Sequence, residues 1–206
     1  ISYLNRESES DDETINNINQ DFQGDKKSSK RIENENESNN SKEFSLNFTH
    51  EFINKGNITI DYQKEKSNEI ESGIITNTQS VPNFIKYLGE KVNTNENQDS
   101  ELYKIDYVLP VGEDGQFEMG YRKSNKFQNT DYLIKDENKN GDFIKNTNLS
   151  NNLFYNEKVN AFYTQYGNKK NKISFLFGLR LEESKTTVKQ IESNSNSIKK
   201  YNDLFP

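Results

Sequence analysis

The sequence contains no cysteine and no tryptophan, and His50 is its only histidine. Without thiols, disulfides, zinc–thiolate sites and thiol catalysis are excluded, while an exported location stays permitted. A single His removes His-rich metal sites and most nucleophile–base triads. No acidic dyad stands at an interpretable spacing, so neither a catalytic residue nor a cofactor is expected. An excess of positive charge is missing too. The formal net charge is −6, which argues against a nucleic-acid partner on bulk electrostatics. No run of about 18 apolar residues exists, so no helix can cross a membrane. The opening "ISYLNRESES" has neither Met nor an apolar stretch and does not read as a signal peptide. The chain stops at "YNDLFP". An internal piece of a longer protein is expected.

Apolar residues make up only 30% of the chain, and the mean hydropathy is −1.11. That balance would ordinarily indicate disorder. Yet 12% of residues are aromatic, and disordered chains are poor in aromatics. The apolar residues are few but concentrated, so their placement carries the information.

That placement has a period of two, the period of a strand. In "FSLNFTHEF" (44–52), Phe44, Leu46, Phe48 and Phe52 share a face that His50 interrupts. Ile58, Ile60 and Tyr62 alternate in "ITIDY". Tyr103, Ile105, Tyr107 and Leu109 do so in "YKIDYVL", and Phe117, Met119 and Tyr121 in "FEMGYR". Residues 159–166 alternate more weakly, with Val159, Ala161 and Tyr163 on one side. In "KISFLFGLRLEESKTTVKQ" (172–190), Ile173, Phe175, Phe177, Leu179 and Leu181 point one way, and strand-compatible residues continue beyond them. No convincing helical period appears; a short helical turn is allowed near 83–88 or 149–155.

Connections alternate in length. Three are short, at 53–57, 112–115 and 167–171, where Gly, Asn and Asp would supply the positive φ of tight hairpins. Four are long and polar, at roughly 13–28, 76–97, 136–155 and 191 onward. The apolar alternation sits beside the short turns and gives way to polar strand-compatible sequence away from them, as in "QKEKSNEIES" after residue 62. A soluble antiparallel sandwich has no reason for this arrangement. The clearest apolar stretches, 44–52, 103–111 and 173–181, match the 9–11 residues of a tilted strand crossing a bilayer. Alternating short and long connections fit the periplasmic turns and extracellular loops of a transmembrane barrel. The expected fold is all-β: an antiparallel up-and-down meander forming a partial transmembrane β-barrel, an open sheet of about seven strands. The lipid-facing candidates are Phe44, Leu46, Phe48, Ile105, Tyr107, Phe117, Met119, Ile173, Phe175, Phe177, Leu179 and Leu181. Ser174, Gly178, Arg180 and Glu182 would face a wet lumen, with Leu176 the exception. The alternative is a soluble, β-rich binding or adhesion module of the cell surface.

From about residue 42 onward the chain resembles the barrel region of TonB-dependent outer-membrane receptors. It is most similar to the outer-membrane β-barrel family common in Bacteroidota. The resemblance rests on "LYKIDYVLPV" (102–111), "FEMGYRKSNKFQNTDYL" (117–133), "NLSNNLFYNEKVNAFYTQY" (148–166), "FLFGLRLEES" (175–184) and "YNDLFP" (201–206). It implies that residues 1–206 form one segment of a single outer-membrane β-barrel domain, with no plug domain present. It also implies a location in the outer membrane of a Gram-negative cell, and an importer of a scarce or bulky ligand such as a metal chelate, oligosaccharide or peptide. The implied partners are membrane lipid, a plug domain and TonB, with a surface lipoprotein as a further candidate.

Asp106, Glu118, Arg122, Arg180 and Glu182 are the lumen-facing candidates. Cross-strand pairs that solvate the wall are the expected reading; contact with a plug or ligand is the alternative. Phe52, Tyr107, Phe117 and Tyr166 lie close to short turns and suit an interfacial girdle, with His50 beside them. Asp136, Asn138 and Asn140 have the alternating oxygens of a calcium loop, with Gly141 sixth. The twelfth position is Thr147 instead of the Glu that completes such a loop, so an external hairpin turn is the better reading.

Overall fold

The computed structural model describes residues 1–22, 25–170 and 172–206. It is a single antiparallel sheet with strands β1 (Ser2–Phe22), β2 (Asp25–Glu51), β3 (Asn57–Val81), β4 (Ile85–Lys86), β5 (Glu90–Val111), β6 (Gly115–Glu137), β7 (Phe143–Lys145), β8 (Asn151–Lys170), β9 (Ile173–Gln190) and β10 (Ser195–Phe205). The spatial order is β1-β2-β3-β5-β6-β8-β9-β10, and the short β4 and β7 pair with β3 and β6. Among the described residues β1 and β10 do not pair with each other, so the sheet is open.

Several expectations are corrected here. Eight strands on the main path replace about seven. The polar segments 13–28 and 191 onward belong largely to strands: β1 and β2 pair from Phe22↔Asp25, and β9 and β10 from Gln190↔Ser195. No helical turn forms near 83–88, where residues 85–86 pair as β4; near 149–155 a single turn closes just before β8 begins at Asn151, with Ser150 N–H donating to Asn146 O at 2.9 Å. Beyond the apolar band both faces of a strand are polar, so alternation disappears although backbone pairing continues. The β3–β5 ladder runs without a break from Asn57↔Val108 to Ile75↔Glu90. β2, at 27 residues, spans about 90 Å at the usual rise of a strand.

The short turns also differ in detail. In the first, Lys55 takes positive φ (61°) and the neighbouring Gly and Asn do not. Phe52 N–H donates to Gly56 O at 2.7 Å, and Asn54 Oδ1 accepts from Gly56 N–H at 3.1 Å. In the second, Gly112 has φ +70°. Asn171, in the third, lies outside the described residues.

The turns record the tilt of the sheet. The Glu51↔Asn57 pair beside the first turn continues to Val108 on β5. The second turn lies three residues further, beyond Val111↔Gly115. That pair continues to Asn168, and the third turn lies two residues further still, beyond Lys170↔Ile173. If the rim is level, about 16 Å of rise accumulates over about 19 Å of strand spacing, a tilt of about 40°. Closed barrels fall in this range.

A single sheet has no core in the ordinary sense. Ile75, Ile134 and Ala161 are the buried apolar side chains among the described residues, with Gln79 and Ser150 the buried polar ones. Ile75, Gln79 and Ile134 point to the same face as Asp106, where the connections after β3 and β6 fold back over them. Tyr87 OH donates to Gln79 Oε1 at 3.1 Å. Ser150 Oγ accepts from Ile134 N–H at 3.0 Å and donates to Ile134 O at 3.2 Å. Gly89 N–H donates to Glu137 Oε2 at 2.7 Å, tying the two connections together.

Candidate functional site

The register divides every side chain between two faces. One cross-strand row holds Phe48, Ile60, Ile105, Tyr121, Phe162, Leu181 and Leu204. All twelve apolar candidates named from the sequence share its face. The aliphatic centre is flanked by aromatics on both sides. Near the short turns stand Phe52 and Tyr107 (ring centroids 6.2 Å apart) and Tyr166 and Phe175 (6.2 Å), with Phe117 opposite Tyr166. His50 meets Phe52 edge-on at 4.7 Å. At the other margin Tyr62 stacks on Tyr103 (4.8 Å) and Tyr121 on Phe162 (4.7 Å). Separations such as Phe44 to Phe52 or Ile173 to Leu181 give a band about 20 Å tall at this tilt. An apolar band between two aromatic girdles is the pattern carried by the outer surface of transmembrane barrels. Phe177 is 70% and Phe162 61% exposed, and no second sheet covers them among the described residues. The soluble sandwich would have required one.

The opposite face carries the five charged candidates in three adjacent rows. Asp106, Gly120, Tyr163 and Arg180 form the middle row. Lys104, Arg122, Ala161 and Glu182 form the next on one side; Glu118, Gln165 and Gly178 lie on the other. Asp106 receives Lys104 Nζ at 2.5 Å on Oδ2 and the Tyr163 hydroxyl on Oδ1. Tyr163 reaches Asp106 across the whole width of β6. It can do so because Gly120 lies beneath its ring: a Cβ there would overlap the ring atoms. Arg180 lies over the other side of that ring, 5.9 Å from its centroid, and donates to Glu182 Oε2 at 2.9 Å from Nε and 2.5 Å from Nη2. Glu118 accepts from Gln165 Nε2 at 2.5 Å and from Gln116. Positive and negative charges in the array thus balance, and most are paired. Of the five, Glu118 and Arg122 have no ion-pair partner among the described residues, and Glu118 is held by the two glutamines while Arg122 is not hydrogen-bonded.

Tyr163 is the residue sequence reasoning missed. Its weak alternation with Val159 and Ala161 resembled a poor apolar face, but that set lies on the charged side. Phe162, Thr164 and Tyr166 are the outward residues. The third short turn held the signal. With Lys170 opposite Ile173, even residues of β8 must stand beside odd residues of β9, and Phe177 fixes which side is apolar.

The calcium-loop residues build a hairpin instead. Asn138 Oδ1 accepts from Asn140 N–H at 2.8 Å and Asp142 N–H at 2.9 Å. Asp136 accepts from Asn146 Nδ2 at 2.7 Å and pairs with Ile144. Among the described residues no group of three or more acidic or His side chains is placed to share an ion.

The fold and its two faces describe a segment of a membrane-spanning β-barrel wall. The family model of the "outer membrane protein beta-barrel family" matches residues 50–206. The chain belongs to that family, whose place is the outer membrane of Gram-negative cells. Two solved structures match over most of this chain. The ferric citrate transporter FecA, unliganded, has 8% identity and a TM-score of 0.44 over 87% of this chain and 32% of its own. The ferric yersiniabactin uptake receptor FyuA from Yersinia pestis has 10% identity and a TM-score of 0.37 over 87% and 34%. The chain therefore spans about a third of the length of these structures. No curated protein matches the sequence.

Proposed function

We propose that residues 1–206 are one stretch of the barrel wall of a TonB-dependent receptor that imports a scarce or bulky ligand. A metal chelate, an oligosaccharide and a peptide are the candidate classes. The observation that supports this most is the open, tilted sheet with an apolar band on one face and a neutral, cross-linked charge array on the other. Eight long strands whose two edges are unpaired among the described residues make part of a wide wall and not a closed small barrel. A wide lumen needs filling, and an interior face whose charges are mostly paired suits a plug that must dock and move. Arg122, exposed and without an ion-pair partner, is the candidate contact for the plug or ligand. The protein carries out no covalent chemistry in this reading. Work reaches it through the plug from TonB, and a surface lipoprotein is the candidate for ligand capture.

Planar-bilayer conductance of the intact receptor tests this without knowing the ligand. A plugged barrel shows no steady open channel until urea unfolds the plug, and the receptor should cross-link to TonB through a segment upstream of the wall. A large ohmic channel from the outset, with no TonB cross-link, would overturn the importer and leave a porin.

A further inference from the structure

The outward face does not end at the aromatic margin. On the first two polar positions beyond it, β2 presents Lys42, β3 Lys64 and Lys66, β6 Lys123, β8 Lys158, β9 Lys185 and β10 Lys200. β5 supplies Glu101 and Asp99, which pair with Lys64 at 2.6 Å and Lys66 at 3.1 Å. β1 has no lysine there; its Glu7 accepts from Asn40 at 3.0 Å. The lysines of β6 and β8–β10 have no such partner. None is in an ion pair among the described residues, and all are exposed.

Three of them stand in one cross-strand row: Lys158↔Lys185↔Lys200. Like charges directly opposite on neighbouring strands repel and destabilise a sheet. Here two such pairs occur side by side, with Lys123 diagonal to Lys158 and Glu183 the one carboxylate on the adjoining outward positions. In a chain with net charge −6, four lysines without ion pairs stand together on this face, one step beyond its apolar band and on the side of the long connections.

We infer that the Lys123–Lys158–Lys185–Lys200 cluster binds the phosphorylated headgroup of an outer-leaflet lipid whose acyl chains lie on Phe162, Leu181 and Leu204 below. Charge complementarity and continuity with the apolar band identify the occupant. The phosphates would sit where the lysines converge, and the chains would run down the same face. The row spacing of about 4.8 Å lets adjacent ammonium groups share one phosphate or hold two on a diphosphorylated sugar. This inference rests on the reading that the apolar face meets lipid.

The test uses the intact receptor in vesicles containing either diphosphoryl or dephosphorylated lipid A. Wild type should melt several degrees higher with the phosphorylated lipid and retain it through purification. The triple variant Lys158→Gln, Lys185→Gln, Lys200→Gln should lose both effects. Its lipid affinity should fall on the order of a hundredfold, the scale for three lysines at an anionic surface. A control carries the same kind of charge change on the opposite face, Lys126→Gln with Lys199→Gln, and should behave as wild type. Equal phosphate dependence in wild type and the triple variant, or none in wild type, overturns the inference. Restoration of the shift by inorganic phosphate with dephosphorylated vesicles would assign a free-anion site and also overturn it. A nitroxide at Phe177 separates the two readings. If it collides with oxygen and not with a polar nickel reagent, the face meets lipid and a negative result sinks only the headgroup site. If nickel wins, the membrane placement itself is lost.

Discussion

At the scale of single residues, the inner array depends on one absent side chain. Gly120 has no Cβ, so the Tyr163 ring lies flat over β6 and its hydroxyl reaches Asp106. Filling that position should unseat the ring. Gly120→Val is expected to cost about 1–3 kcal/mol, the range for overpacking, and Tyr163→Phe about 1 kcal/mol for the lost hydrogen bond. Combining Gly120→Val with Tyr163→Ala should cost clearly less than the two single changes together, because residues in contact do not act additively. Urea unfolding of the intact barrel protein in lipid vesicles reads all of these. Strict additivity would mean that the ring and the glycine do not share the space between β5 and β8.

At the scale of strands, what the sequence made legible follows from where polarity differs between faces. The apolar residues of β2, β3, β5, β6 and β9 alternate with polar ones, and each was assignable to a face. β1 and β10 have no such contrast. "ESESDDETINNINQ" is polar on both sides, so nothing in the local pattern separates a strand from a loop; only its partner in β2 does. The inner array was half legible, since charged side chains between apolar ones stand out, whereas a Tyr serving the polar face among aromatics does not. Beyond the band the inner face of β2 and β3 collects Glu33, Glu35, Glu37, Glu69 and Glu71. Partial burial, then repulsion from Glu71, Glu33, Asp12 and Glu37, raises the Glu35 pKa above the ordinary carboxylate value. Partial burial, then repulsion from Glu37 and Glu71, does the same for Glu69. A raised carboxylate pKa means the folded strands bind protons that the unfolded chain has already released. Their stability should therefore fall as pH rises from the ordinary carboxylate pKa through the raised values, and recover on acidification. Amide protection of β2 and β3, corrected for intrinsic exchange, should be greater just above the ordinary carboxylate range than at neutral pH, with the difference reduced by salt. Glu35→Gln with Glu69→Gln should flatten the dependence. Protection that rises toward neutral pH would contradict the repulsion.

At the scale of the whole molecule, the sheet leaves one broad apolar face and, among the described residues, two unpaired edges. Exposed edges template further pairing, and an apolar area of this size does not stay in water. The chain alone, diluted from denaturant into plain buffer, should associate, and it should become a defined species only in detergent or lipid. Size-exclusion chromatography with light scattering decides this. A monodisperse monomer in buffer with a cooperative melt would be incompatible with the two faces described above.

The stagger of the three short turns has an evolutionary corollary. Neighbours in the sheet are neighbours in the chain, and each pair of strands climbs by a similar small step before the next begins. A two-strand unit such as β5–β6 could be duplicated or deleted in frame without reversing chain direction or exchanging the apolar and polar sides. The circumference would change and the slope of the rim would not. An odd number of strands would turn every later residue inside out. Genes for walls of this kind can thus lengthen or shorten by whole hairpins, and closely related barrels should differ in size by even counts of strands.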